Sequence, residues 1–173
     1  MATNKGHRPA SARRRSAARL AAVQALYNAE LTGAPVDVVL DDFLRHGLGD
    51  KALIAPPGDA EAEIEAPLAE RDSPLFVAIV RGTLAERQRL DAMVDGALTG
   101  DWTVERLEAV LRAIMRAGAF ELAERPDIPS RVTISEYVDV THAFYSGPEP
   151  GLVNAVLDRI ARVVREGELA GNG

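Results

Sequence analysis

The sequence predicts an all-α fold of six or seven helices. Apolar residues recur three and four positions apart in segment after segment, and glycine and proline punctuate those segments. No stretch shows sustained alternation of period two or a β-branched run between hairpin turns, so a sheet has little support.

Ser11 is the expected cap of the first helix, with Leu20, Val23, Leu26, Tyr27 and Leu31 as its inward stripe and Gly33 as its stop. A short second helix opens near Pro35 and Val36, buries Val39, Leu40, Phe43 and Leu44, and ends at Gly47. Residues 48–72 break the pattern. Pro56-Pro57-Gly58, Pro67 and the acids Asp50, Asp59, Glu61, Glu63, Glu65, Glu70 and Asp72 leave too little apolar surface to offset the entropy of ordering, so an acidic surface loop is expected.

Ser73 as N-cap with Pro74 behind it then opens one long helix that carries Phe76, Ile79, Val80, Thr83, Leu84, Leu90, Val94 and Leu98 inward and closes at Gly100. After Trp102 and Thr103, the residues Leu107, Val110, Leu111, Ile114, Gly118 and Leu122 form a helical stripe up to Pro126, as one helix or as a short and a long one. Pro129 to Phe144 places Val132, Tyr137, Val140 and Phe144 on one flank. Past the turn Ser146-Gly147-Pro148-Glu149-Pro150-Gly151, a last helix presents Val153, Val156, Leu157, Ile160 and Val164, and residues 167–173 are expected to fray.

A chain of 173 residues supports one cooperative unit, and 47% hydrophobic with 27% charged residues is ordinary for a globular protein. The absence of cysteine excludes disulfides, thiolate metal sites and cysteine nucleophiles. No apolar run approaches the roughly 20 residues of a membrane helix, and the arginine-rich start lacks a signal peptide's apolar core, so a cytoplasmic location is expected.

Charge is the most informative part of the composition. The net charge is −6, yet residues 1–19 carry Lys5, Arg8, Arg13, Arg14, Arg15 and Arg19 with no acid, which leaves −12 on the remainder. Such polarity suits a polyanion met at one place only, because the acidic body repels it elsewhere. Arg13, Arg14 and Arg15 fan around the opening turn of the first helix. Arg15 and Arg19 stand four apart and share a side, so the four guanidinium groups are candidate phosphate contacts. As exposed residues, Arg15 and Arg19 are expected to accept alanine without loss of fold.

Catalysis finds little support. His7, His46 and His142 are far apart in sequence without carboxylates at ligand spacing, and no metal or cofactor is expected. The pair Glu136 and Asp139 lacks a nucleophile, and the serines lack a nucleophile elbow. With only 5% aromatics, stacking platforms are few: Tyr27, Phe144 and Tyr145 lie near helix ends or turns.

Three ordered stretches resemble the NusB family: Arg19 to Tyr27, ending Ala22-Val23-Gln24-Ala25-Leu26-Tyr27; Leu111-Arg112 through Phe120-Glu121-Leu122 to Asp127-Ile128-Pro129; and Val132-Thr133-Ile134-Ser135-Glu136-Tyr137 to Leu152-Val153-Asn154-Ala155-Val156-Leu157-Asp158. The resemblance implies about seven helices in two packed bundles. It divides the chain into a flexible basic tail 1–12 and a single domain 13–166, with an N-terminal subdomain of about 13–100 and a C-terminal subdomain of about 101–166.

It also implies a transcription antitermination factor. NusB-like proteins hold single-stranded boxA-type RNA of nascent, chiefly ribosomal RNA, transcripts near the elongation complex, together with NusE, the small-subunit ribosomal protein. Carried over by register, the implied RNA-binding residues are Arg13, Arg14, Arg15, Arg19, Gln24, Tyr27, Phe144, Leu152 and Asn154. Leu152 stands where the family often has an aromatic ring, and Ser135 replaces the usual asparagine before Glu136. Two alternatives remain at this stage: a protein-interaction module that never meets RNA, and an accessory RNA-placing domain related to those fused to RNA cytosine methyltransferases. Homodimerisation is left open.

Overall fold

The computed structural model describes residues 8–46 and 72–170, and within them the secondary structure is helical throughout. The helices are α1 (Ala10–Thr32), α2 (Val36–His46), α3 (Ser73–Ala85), α4 (Arg87–Ala97), α5 (Ala109–Glu124), α6 (Ser130–Phe144), α7 (Glu149–Val164) and α8 (Glu166–Ala170), with a single 3₁₀ turn at Val104–Arg106 before α5. The fold is all-α, as the periodicity predicts. Most of the acidic segment, residues 47–71, lies outside the described residues, as do residues 1–7 and 171–173.

The centre of the fold is α5. From Ala113 to Leu122 every residue of this helix is buried, because α1, α3, α4, α6 and α7 all pack around it. Glycine permits the closest approaches. A Cβ on Gly118 would stand 2.8 Å from Leu157 Cδ1 of α7, and one on Gly82 of α3 would stand 2.1 Å from Phe120 Cε2 of α5. Gly82→Ala is therefore expected to force the Phe120 ring aside and cost about 1–3 kcal/mol. Chemical denaturation checks this, and an unchanged midpoint would show that the ring moves freely.

Several element boundaries differ from the sequence expectation for identifiable reasons. The first helix starts at Ala10, earlier than the tail boundary at 12, with Pro9 at its cap position and no side-chain cap from Ser11. Gly33 ends it in the left-handed conformation (φ 66°), donating its N–H to the Ala29 carbonyl. Asp72, not Ser73, caps α3: its carboxylate accepts from the Leu75 N–H at 3.0 Å, which puts Pro74 in the first turn.

The expected long helix over 73–100 is two helices, broken at Glu86 (φ −105°, ψ 20°). The stretch after Trp102 resolves into the 3₁₀ turn followed by the long α5. Residues 166–170 form α8 instead of a frayed end. There Glu168 accepts from the Ser130 N–H (2.7 Å) and Oγ (2.9 Å), supplying α6 with the N-terminal acceptor that Pro129 cannot provide. Those hydrogen bonds, with Arg165, hold the Glu168 carboxyl below the usual glutamate range. A depressed folded-state pKa means that the stabilisation is present above the unfolded value and is lost as pH falls through the folded one. Acidification is thus expected to release α8 before the core melts, visible as faster amide exchange at Ser130.

Burial also departs from the predicted stripes. Leu44, Val132 and Val164 are exposed, and Leu31 is 56% exposed. The buried face of α1 is made largely of alanine: Ala18, Ala21, Ala22, Ala25 and Ala29, with Val23 and Leu26. In consequence Tyr27 and Leu31 stand outside the core, and Leu20 packs only against its edge. Counting 100° per residue, they fall with Arg13 and Gln24 on the outer side of the helix.

Candidate nucleic-acid interface

The arginine run divides in two. Arg13 and Arg14 are exposed and Arg15 is half-buried, and none of them makes an ion pair or side-chain hydrogen bond with a described residue. Among the described residues, the opening turns of α1 therefore offer three guanidinium groups without a partner. They do so against local preference, since the first turn holds no acid and no side-chain cap while the helix dipole is positive at that end.

Arg19 is the exception and corrects the sequence expectation. Its side chain is 1% exposed and forms a two-pronged pair with Glu121 of α5, Nε to Oε2 and Nη2 to Oε1, each at 2.9 Å. Its Nη1 lies 3.5 Å from Glu136 Oε2 of α6. Spacing shows that Arg15 and Arg19 share a side of the helix but not which way that side faces, and here it turns toward two buried carboxylates. Burial alone would lower the pKa of this guanidinium, yet the hydrogen bond and charge of Glu121 more than reverse that and leave it raised. Arg19 is unavailable to a phosphate.

Tyr137 is fully buried beside this pair, its hydroxyl without a hydrogen-bond partner among the described residues. Burial, and then the charge of Glu121, push its phenol well above the ordinary value, so it remains protonated. Glu136 is the hub on the α1 side: it receives Arg8 Nη2 on Oε1 and Ser16 Oγ on Oε2 at 2.5 Å. Sequence reasoning missed Arg8, Ser16 and Glu121 as members of one structure. A single arginine embedded in Ala17-Ala18-Arg19-Leu20-Ala21-Ala22 was the available signal, because a surface helix seldom surrounds a charge with small apolar residues on every side.

Gln24 and Tyr27 are half-buried on α1. Eleven residues separate Arg13 from Gln24 and fourteen separate it from Tyr27, so all three lie within about 60° of one another along roughly 21 Å of helix. A cation, an amide and an aromatic ring thus share one outward strip. The strip can pair with phosphate at one end and stack or hydrogen-bond a base at the other.

The remaining candidates flank the α6–α7 turn. Phe144 and Leu152 are half-buried against the core, and Asn154 is exposed on α7. The turn is acidic: Tyr145 donates from its hydroxyl to Glu108 at 2.8 Å, and burial followed by that bond raises its pKa. Among the described residues no hydrogen bond or ion pair joins this group to the α1 strip. The two meet through α6, whose Glu136 faces α1 about 12 Å along the helix axis from Phe144.

Other chemistry is not assembled here. Glu136 is buried while Asp139 is exposed, so that carboxylate pair does not line one site. Among the described residues no three His, Asp or Glu side chains gather to hold a metal ion, and no helix is long and apolar enough to cross a membrane.

Comparison with known proteins decides the lineage. The NusB family model matches residues 16–162. The chain belongs to the NusB family. Curated NusB relatives include the transcription antitermination protein of Rhodospirillum rubrum, 52% identical over 158 residues, covering 88% of this chain and 85% of that protein. The transcription antitermination protein NusB of Nitrobacter hamburgensis is 47% identical over 159 residues, covering 92% of each. The solved structure of T. maritima NusB superposes with a TM-score of 0.69 at 21% identity, covering 95% of this chain and 99% of that one. That likeness is one of fold, shared by the described residues.

Proposed function

We propose that this protein is a transcription antitermination factor that binds single-stranded boxA-type RNA of nascent, chiefly ribosomal RNA, transcripts. It does so in the cytoplasm together with NusE, as part of the transcription elongation complex, and without catalysis. Membership of a family named for antitermination supports the role, and the three uncommitted arginines at the start of α1 carry the RNA assignment. An acidic body with one cationic end gives the transcript a single orientation.

The RNA contacts proposed are Arg13, Arg14 and Arg15 for phosphates, Gln24 and Tyr27 along the strip, and Phe144, Leu152 and Asn154 at the α6–α7 turn. This set omits Arg19. Three cations and few aromatics make a small interface, so affinity of the protein alone is modest and rises with the ribosomal partner. A gel shift on boxA-type against scrambled single-stranded RNA, with and without NusE, tests this. Preference for boxA that strengthens with the partner is the expected result; equal retention of both RNAs under both conditions would overturn it.

A further inference from the structure

We propose that Glu136 is a positioning residue for RNA binding: it fixes the arginine triplet by holding the chain on both sides of it. The inference rests on the proposed RNA contact of Arg13, Arg14 and Arg15. Arg8 precedes the triplet and Ser16 follows it, and both side chains end on the same carboxylate, one on each oxygen. The third contact, from Arg19 one turn further on, ties that carboxylate into the core.

The anchor answers a specific weakness. The opening of α1 has no side-chain cap and no acid in its first turn, while cations crowd its second, so by itself this segment tends to fray. An anion supplied by α6 compensates from outside the helix. The only other described tether to this stretch is a backbone bond, Asp72 N–H to the Arg14 carbonyl at 3.1 Å. Holding Arg8 and Ser16 at one point keeps the triplet between them in the helix. Binding then loses less conformational entropy than it would from a frayed start.

The test uses the full chain as wild type, Glu136→Gln, Arg8→Ala and the triple Arg13→Ala, Arg14→Ala, Arg15→Ala variant, titrated with labelled boxA-type RNA over a range of salt. Amide exchange at residues 10–16 is followed in parallel. Glu136→Gln is expected to speed exchange at those amides about tenfold while α5 and α7 stay protected, and to weaken RNA binding about fivefold. The slope of affinity against salt stays at its wild-type value, because all three arginines still reach phosphates.

Arg8→Ala removes one arm of the anchor from a residue outside α1 and should move both readouts the same way; combined with Glu136→Gln it should add little. Wild-type affinity in Glu136→Gln would overturn the proposal. So would exchange that rises equally in α5 and α7, which would mark Glu136 as a general structural residue. Undiminished binding by the triple variant would instead remove the RNA contact itself, a failure separable from that of the anchor.

Discussion

Replacing Arg19 by alanine is expected to lower the melting temperature by about 6–20 °C. The figure follows from an uncompensated buried charge, which destabilises by roughly 3–5 kcal/mol, and from a shift of about 2–4 °C per kcal/mol in a domain of this size. Glu121 is fully buried and Arg19 donates to both of its oxygens, so truncation strands the carboxylate beside Tyr137 with no cation. Glu136 also loses a neighbour, though it keeps Arg8 and Ser16. Substituting both partners by apolar residues of similar volume, Arg19→Met with Glu121→Leu, should restore much of the loss, since paired buried charges contribute little net stability over packed hydrocarbon. Calorimetry on the two single variants and the double one distinguishes these cases. A single variant that melts with the wild type would mean that water reaches the site.

The triple substitution of Arg13, Arg14 and Arg15 by alanine should act the opposite way, abolishing most RNA affinity while leaving the melting temperature unchanged or slightly higher. These arginines have no partner among the described residues and sit at the unfavourable end of the helix dipole, so removing them relieves a small repulsion. With three contacts and about −0.7 per phosphate on a single strand, the protein alone should show a slope of log affinity against log salt of roughly −2.1. Four available arginines would have given roughly −2.8; the burial of Arg19 removes one. Titration at several salt concentrations checks the number. A slope that survives in the triple variant would place the phosphate contacts on other cations.

What the sequence disclosed and what it concealed divide along physical lines. Stops written in backbone chemistry were legible: Gly33 is left-handed, Pro74 needs a first turn, and a turn falls at 146–148, although Glu149, Pro150 and Gly151, expected in that turn, already open α7 with Pro150 in its first turn. The break at Glu86 was not, because Thr83, Leu90 and Val94 keep helical spacing across it and no glycine or proline stands at it. The orientation of α1 was concealed for a different reason. Its core face is alanine, which periodicity weighs lightly, while the outer strip carries Leu20, Tyr27 and Leu31, which attract a core assignment. The same misreading hid Arg19, for a charge was taken to mark the solvent side when the partners that bury it lie 102 and 117 residues away. Of the candidate site, the arginine triplet and the strip to Tyr27 were legible as residues. That the side shared by Arg13, Gln24 and Tyr27 faces away from the alanine core became visible only once the helix was placed.

The alanine face of α1 sets a distance as well as an orientation. Methyl groups let two helix axes approach toward the short end of the roughly 8–10 Å range, and larger side chains at Ala18, Ala21, Ala22 or Ala25 would push the whole rod outward. Arg13 and Tyr27 ride on the far side of that rod, so their separation from Phe144 and Asn154 is governed by atoms that never touch a transcript. The gauge of the proposed RNA track is thus machined in the hydrophobic interior, and a silent-looking Ala→Val exchange there is expected to detune recognition without altering any of the proposed contact residues.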